Sequence, residues 1–269
     1  MNHITDRSRM MYKMYGTLVL LILYFPVLSI LLASLSKRRY FSFPYSDVTL
    51  KWYSKVFSSD TVIGLVKTSS VIALIVVVVS LVVGFFAALA YARYEWKGKR
   101  MFQKMVLIPL FFPQTVLGLA LLLWFNFLNI TPGWGTAVVA HLVWICPITT
   151  LIIAIQAYSL DPSLEEAAFD LGATRWQTLT QITLPLLSQS LVSAGLFAFL
   201  LSWGNFALSL FTTGADSTLP EWLYAKMVSG YSPLVPAVGT VSVIGATLVA
   251  VIGFGIIALQ KRKTKTEEA

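Results

Sequence analysis

Charge is what this chain lacks most. Only 12% of its 269 residues are Asp, Glu, Lys or Arg, against about 25% in an average soluble domain. With 57% hydrophobic residues and a mean hydropathy of +0.76, the composition argues against a soluble globular fold. A single-domain, all-α membrane protein is the expectation. Cysteine is nearly absent: Cys146 stands alone in an apolar run, so no disulfide framework exists. The two histidines, His3 and His141, lie too far apart in the expected topology to share a metal. There is no G-x-x-x-x-G-K-[ST] run, so no P-loop nucleotide site, and no phosphate-binding glycine loop. Serine pairs such as Ser69-Ser70 have no base nearby. No enzyme constellation is present, and no metal site or cofactor is expected in this chain.

The apolar runs also lack ionised groups. None of the 12 acidic residues, and no Lys or Arg, falls inside an expected span. Ion-coupled pumps need buried carboxylates to hold the coupling ion in low dielectric. This argues against a proton-driven carrier. It argues less against a sodium symporter, whose site can be built from carbonyls and hydroxyls, so an ion-gradient-driven secondary transporter remains the alternative class. His141, between Ala140 and Leu142, reads as a packed residue hydrogen-bonded to a neighbouring helix.

What is there in quantity is length of apolar run. Six spans are expected, at about 16–35, 68–92, 105–127, 135–157, 188–211 and 237–259. Residues 1–15 form a polar N-terminal segment and 260–269 a basic tail. The first run is long for a signal peptide and no small-residue cleavage site follows it, so it reads as a retained span. Pro109 and Pro113 predict a kinked third span. The fourth carries Pro147. Short amphipathic stretches around Trp52 and Trp222 read as interfacial. With both termini cytoplasmic, 13 of the 20 cations fall inside and 7 outside, which the positive-inside rule favours; Lys37, Arg38 and Arg39 dissent. The net charge of +8 therefore sets topology and meets anionic lipid; it does not point to nucleic acid.

The polar interval 160–187, LDPSLEEAAFDLGATRWQTLTQITLPLL, organises the second half. It predicts two short helices. Asp161 can cap the first with Pro162 at its first position, and Ser163 with Glu166 offers an overlapping capping box. Glu165 and Glu166 sit in the first turn, where the helix dipole favours negative charge. Gly172 ends that helix in the left-handed conformation. A second helix over about 174–183 carries Trp176, Leu179 and Ile182 at helical spacing, and Pro185 stops it or turns it into the next span.

Glu166-Ala167-Ala168, then Gly172, then Ile182, Leu184 and Pro185, resemble the EAA loop of bacterial ABC importer permeases. The resemblance implies a six-span permease bundle in the bacterial inner membrane whose two-helix coupling loop docks on a cytoplasmic ABC ATPase. It implies further partners: a second homologous permease, two copies of the ATPase carrying ATP and Mg, and an extracytoplasmic solute-binding protein. Transport would be by alternating access, with the heterodimer forming the path.

Further segments resemble the spermidine/putrescine-type permeases, closest to their C-type subunit, over nearly the whole chain. They are Thr49-Leu50-Lys51-Trp52-Tyr53, Ala92-Arg93-Tyr94 with Gly98-Lys99, Ile108-Pro109 with Pro113, and Leu219-Pro220 with Gly230-Tyr231-Ser232-Pro233. The resemblance implies import of a small amino-containing solute. One departure stands out. Polyamine members are expected to carry acids in the fifth span where this chain reads Trp203-Gly204-Asn205. A polycation in a dry site needs paired charge. Asn205 with Trp203, and with Trp124 and Trp144 as cation–π surfaces, suits a monocation or a zwitterion better. Each Trp has the alternative of packing or anchoring at the membrane interface, and Ser202, Gly204 and Ser209 have the alternative of helix packing.

Overall fold

The computed structural model describes residues 6–37 and 48–267, with side chains over 9–37 and 48–259. Arg38, Arg39, residues 1–5 and 40–47, and the side chains of the basic tail lie outside the described residues; of the three positions that dissent from the charge rule, only Lys37 is described, and it is exposed. Described helices run in order as α1 Asp6–Ser34, α2 Lys51–Ser58, α3 Asp60–Ala92 and α4 Lys99–Leu107, the last prolonged by a 3-10 turn, Ile108–Phe111. Next come α5 Gln114–Phe127, α6 Trp134–Ser159, α7 Ser163–Asp170 and α8 Arg175–Thr178. A π-helical turn, Leu179–Thr183, leads to α9 Leu184–Leu186, α10 Ser188–Trp203, α11 Ser209–Thr212, α12 Leu219–Ser229 and α13 Leu234–Glu267. Among the described residues there is no strand, only an isolated bridge between Ser36 and Val48.

Four helices, α1, α3, α6 and α13, are long and apolar enough to cross a membrane, and six spans result if two bent pairs each count as one. α3 is rich in β-branched residues (IALIVVVVSLVV), which in water favour strands. A bilayer reverses that preference, because a lone segment there can satisfy its backbone only as a helix.

The chain divides into two compact units. The described residues up to Ile63, with Leu223–Ile244, form one. In it the Trp52 indole donates to Ser36 O at 2.8 Å and Ser34 Oγ meets Tyr53 OH at 2.6 Å, so α2 is tied to the end of α1.

The second unit, Gly64–Trp222 with the described residues from Gly245 onward, holds the larger core. α6 lies at its centre. Near one end Phe85, Ala88 and Leu89 of α3 pack with Ile153 and Ala154 of α6, Leu187, and Ala194 of α10. Near the other, Ile72 and Val76 pack with Ala137, Val138 and Ile145, and with Ala198. α3 and α6 approach closely at Gly84, where a Cβ would lie 2.9 Å from Thr149 Oγ1. Without a hydrophobic force between helices in lipid, such close backbone contact supplies the packing energy.

Two of the expected spans are broken, the third where Pro109 and Pro113 predict a kink. The third begins at Lys99, ahead of 105, and is two pieces, Lys99–Phe111 and Gln114–Phe127, bent by 103°. Pro109 and Pro113 cause the break: each removes a donor and crowds the preceding turn. The fifth was expected to run to 211, but its helix ends at Trp203. Its start is also bent, Arg175–Leu186 meeting Ser188–Trp203 at 67°. Beyond Trp203 the chain turns and re-forms only the short α11.

Candidate functional site: the 160–187 loop and the broken fifth span

Loop 160–187 is held at both ends and open at its tip. Leu160, extended at the end of α6, accepts from Arg93 Nη1 at 3.1 Å. Asp161 Oδ1 accepts the Ser163 N–H at 2.9 Å, which holds its carboxyl below the usual carboxylate range. The N–H groups of Glu165 and Glu166 bond to Pro162 O at 3.0 and 3.1 Å, opening α7. Pro162 itself occupies the cap position, one residue after the expected Asp161.

The two glutamates of the first turn then part ways. Glu165 faces inward: its Oε2 lies 3.2 Å from Arg93 Nε, and its Oε1 accepts from Thr183 Oγ1 at 2.8 Å. Both charged side chains are largely shielded, 11% exposed for Arg93 and 19% for Glu165. Glu166, about 100° further round the helix, is exposed and has no partner among the described residues. Ala168 is buried under α7 and Ala167 is exposed.

Gly172 ends α7 at φ +86°, as expected. Its N–H bonds to Phe169 O, and that of Ala173 to Ala168 O, both at 2.9 Å. A side chain there would meet nothing within 4 Å, so glycine is required by backbone conformation and not by space. A capping box then opens α8: Gln177 N–H donates to Thr174 Oγ1 at 3.3 Å, and Thr174 N–H to Gln177 Oε1 at 2.8 Å. The second helix does not stop at Pro185. It widens into the π turn and continues through α9 to Leu186. The wide turn precedes a proline that has no N–H to give and whose ring would crowd a regular helix. Ile182 is half-buried, and Leu184 and Pro185 are exposed.

The tip is apolar and uncovered. Leu171 is 90% exposed and Trp176 69%, with Leu164 and Phe169 also exposed. A cavity of about 300 Å³ lies behind it, lined among others by Arg93, Glu165, Glu166, Phe169, Arg175 and Thr183. Large apolar side chains at the end of a polar loop mark a contact surface.

The broken fifth span has the opposite character. After Trp203, Asn205 is buried and its Oδ1 accepts the Leu208 N–H at 3.0 Å, capping the turn into α11. His141 of α6 sits 2.8 Å from Ser202 Oγ through Nδ1 and 3.0 Å from Ser209 Oγ through Nε2. Ser209 Oγ gives its one proton to Asn205 O at 2.7 Å, so it must accept from His141. That fixes the tautomer: Nε2 carries the proton and Nδ1 accepts from Ser202. The side chains of His141, Ser202 and Ser209 are thereby paired without a net charge.

The sequence matches the family of binding-protein-dependent transport system inner membrane components over residues 80–265. The chain belongs to that family. This binding-protein-dependent permease is 28% identical over 260 residues to the spermidine/putrescine transport system permease protein PotC of Escherichia coli strain K12, covering 96% of this chain and 98% of that one. It is 30% identical to the putrescine transport system permease protein PotI of the same strain, covering 90% and 88%. In fold it resembles a bacterial ABC transporter involved in import of the acidic polysaccharide alginate, with TM-score 0.64, 18% identity, and coverage of 94% of this chain and 98% of that one. The permease is thus a membrane subunit of an ABC importer.

Within the permease, the EAA-type residues Glu166, Ala167, Ala168, Gly172, Ile182, Leu184 and Pro185 are brought together in one loop. The residues of the expected solute path are not gathered into a single cluster. Trp124 stacks on Phe127 in α5, Trp144 packs beside the Ile72 and Val76 core, and Trp203 stacks on Phe199 at 5.9 Å. Ser202 and Ser209, offered as packing residues by sequence, are the partners of His141. Sequence reading placed Glu165 in the acidic first turn and Arg93 in a family-like segment but did not pair them, and it did not single out Thr183; the signal available was only that Glu165 cannot share the outward face of Glu166.

Proposed function

We propose that this permease subunit couples to a cytoplasmic ABC ATPase through loop 160–187 and imports a small amino-containing organic solute. The observation that carries the docking assignment is the uncovered tip, Leu171 and Trp176 with the unpaired Glu166, on a loop whose base is fully bonded. The ATPase supplies ATP hydrolysis with Mg; this chain contributes no catalytic residue. A second homologous permease completes the path, two ATPase copies receive the coupling loops, and an extracytoplasmic binding protein delivers solute. Both termini then face the cytoplasm.

For the solute, the relatives' names support the polyamine class, and the fifth span narrows it. Asn205 commits its Oδ1 to the Leu208 N–H, and no partner takes its Nδ2 among the described residues. What the side chain offers a solute is an amide dipole with no negative charge to pair the several ammonium groups of a polyamine. This favours a monocationic or zwitterionic amino compound bearing an acceptor over spermidine itself. Trp203, exposed Gly204 and Asn205 form the proposed contact; Trp124 and Trp144 are secondary.

The docking assignment is tested by Gly172→Val in the assembled importer. The expected result is loss of the ATPase on co-purification and loss of uptake, with membrane insertion unchanged. Normal association would refute it. The solute assignment is tested by uptake of a matched series of mono-, di- and triamines and zwitterions. Asn205→Asp keeps the oxygen that caps α11 and adds a free carboxylate oxygen, so preference should move toward di- and triamines. An unchanged profile with assembly intact would remove Asn205 from the path.

A further inference from the structure

The cluster at the base of the loop has a role that the docking motif does not describe. Arg93 directly follows α3, and its backbone N–H still bonds to Leu89 O at 2.9 Å. Its guanidinium reaches Leu160 O at the end of α6 with Nη1, and Glu165 on α7 with Nε. The Glu165 carboxylate reaches on to Thr183, in the π turn that leads into α10. One ion pair therefore joins the ends of the second and fourth spans, the first loop helix and the entry to the fifth span. The contrasting pair Lys99–Glu95 is four residues apart in one segment, with Glu95 89% exposed, and joins nothing distant.

Shielding makes the cluster stiff, because charges attract more strongly where water is excluded. The π turn beside Thr183 is a place where a helix can change register, and such turns recur at functional positions. The exposed tip, by comparison, is joined to the spans by backbone alone. A displacement imposed at Leu171 or Trp176 reaches α3 and α10 through the two chain ends of the loop, through Leu160 and Leu179 packed on the apolar core, and through this cluster.

We propose that Arg93, Glu165 and Thr183 form the joint that transmits movement of the loop to the second and fifth spans. Glu165 is a positioning residue with a task separate from that of Glu166: Glu166 meets the partner, and Glu165 makes the spans follow. This rests on the docking reading of the loop. It predicts an uncoupled importer, and not an unassembled one, when the joint is broken.

The test uses the full importer, with both permeases, the ATPase and the binding protein, reconstituted in vesicles. ATPase co-purification and solute transported per ATP hydrolysed are measured for wild type, Glu165→Gln, Glu165→Asp, Thr183→Val and Glu166→Gln. The expected result for Glu165→Gln is an assembled, hydrolysing complex whose transport per ATP falls about tenfold, within the range of allosteric coupling. Thr183→Val should lose less, and Glu165→Asp should recover part of the ratio. The reversed pair, Arg93→Glu with Glu165→Arg, should exceed either single change. An unchanged ratio in an assembled Glu165→Gln complex would overturn the joint. So would loss of assembly in proportion to activity at constant ratio, which would make Glu165 a structural residue only. Glu166→Gln separates the two readings: if it keeps the ATPase bound while Glu165→Gln uncouples, the docking role of Glu166 falls and the joint stands.

Discussion

Loop 160–187 and the broken fifth span are both polar interruptions of an apolar chain, and they solve the same problem in opposite ways. The loop uses charge. Arg93 and Glu165 pair at its base, while Glu166 and the apolar tip are left without partners. The break uses no charge. His141, Ser202, Ser209 and the Asn205 backbone carbonyl form a neutral relay of paired groups. The surroundings explain the difference. A polar group unpaired within a bilayer costs several kcal/mol, so the break must satisfy itself internally. A loop facing water can leave groups unpaired and keep them for a partner. The lesson is that a polar residue in a membrane protein is read by its bonding: saturated groups hold the fold, and unsaturated ones await something.

The strongest way to break that contrast is at His141. His141→Ala leaves a cavity and takes the partner from two buried serines, with an expected loss of about 3–5 kcal/mol. Thermal unfolding of the solubilised complex reads it, and a loss under about 1 kcal/mol would show that the relay does not hold the break. Next comes Glu165→Ala, which strands a shielded Arg93. Breaking charge-assisted bonds should lower stability by about 1.5–3 kcal/mol, less than for a fully buried pair because both groups keep some solvent. Gly172→Ala follows, at about 1–2 kcal/mol for a side chain at positive φ, since no clash awaits its Cβ. Thr174→Ala should cost about 1 kcal/mol through the lost capping box. Smallest is Glu166→Ala, expected within about 0.5 kcal/mol of wild type yet deficient in holding the ATPase. A large stability loss there would erase the distinction between the two glutamates.

Much of the loop was legible in the sequence because its signals are local. Pro162, the acidic first turn and Gly172 each act within a few residues, and the structure places the last two as those rules require, with Pro162 shifted by one position into the cap. The inward turn of Glu165 was not legible, because its partner Arg93 comes 72 residues earlier and no pattern within 160–187 refers to it. The π turn escaped for a related reason: Trp176, Leu179 and Ile182 keep helical spacing, and a widened turn does not alter that pattern. In the fifth span, Phe206, Ala207, Leu208, Leu210 and Phe211 sustain the hydropathy past the real end of the helix. Only Gly204-Asn205 marked the interruption. That His141 would bond to a neighbouring helix followed from its burial in an apolar run; that Ser202 and Ser209 would flank it required the break itself, which turns the chain so that both reach the same imidazole.

The account turns on the tip of loop 160–187 being the surface that a cytoplasmic ATPase covers. The direct measurement is thiol labelling of Leu171→Cys in a Cys146→Ser background, in membranes carrying the other importer subunits, with and without the ATPase. Leu171 is 90% exposed, so the substitution leaves the fold undisturbed, and Ser217→Cys, exposed in the segment between α11 and α12, serves as the control. The account predicts rapid labelling at 171 without the ATPase, strong protection when it is present, and no change at 217. Equal labelling at 171 in both membranes, with the ATPase shown to be bound, would contradict it.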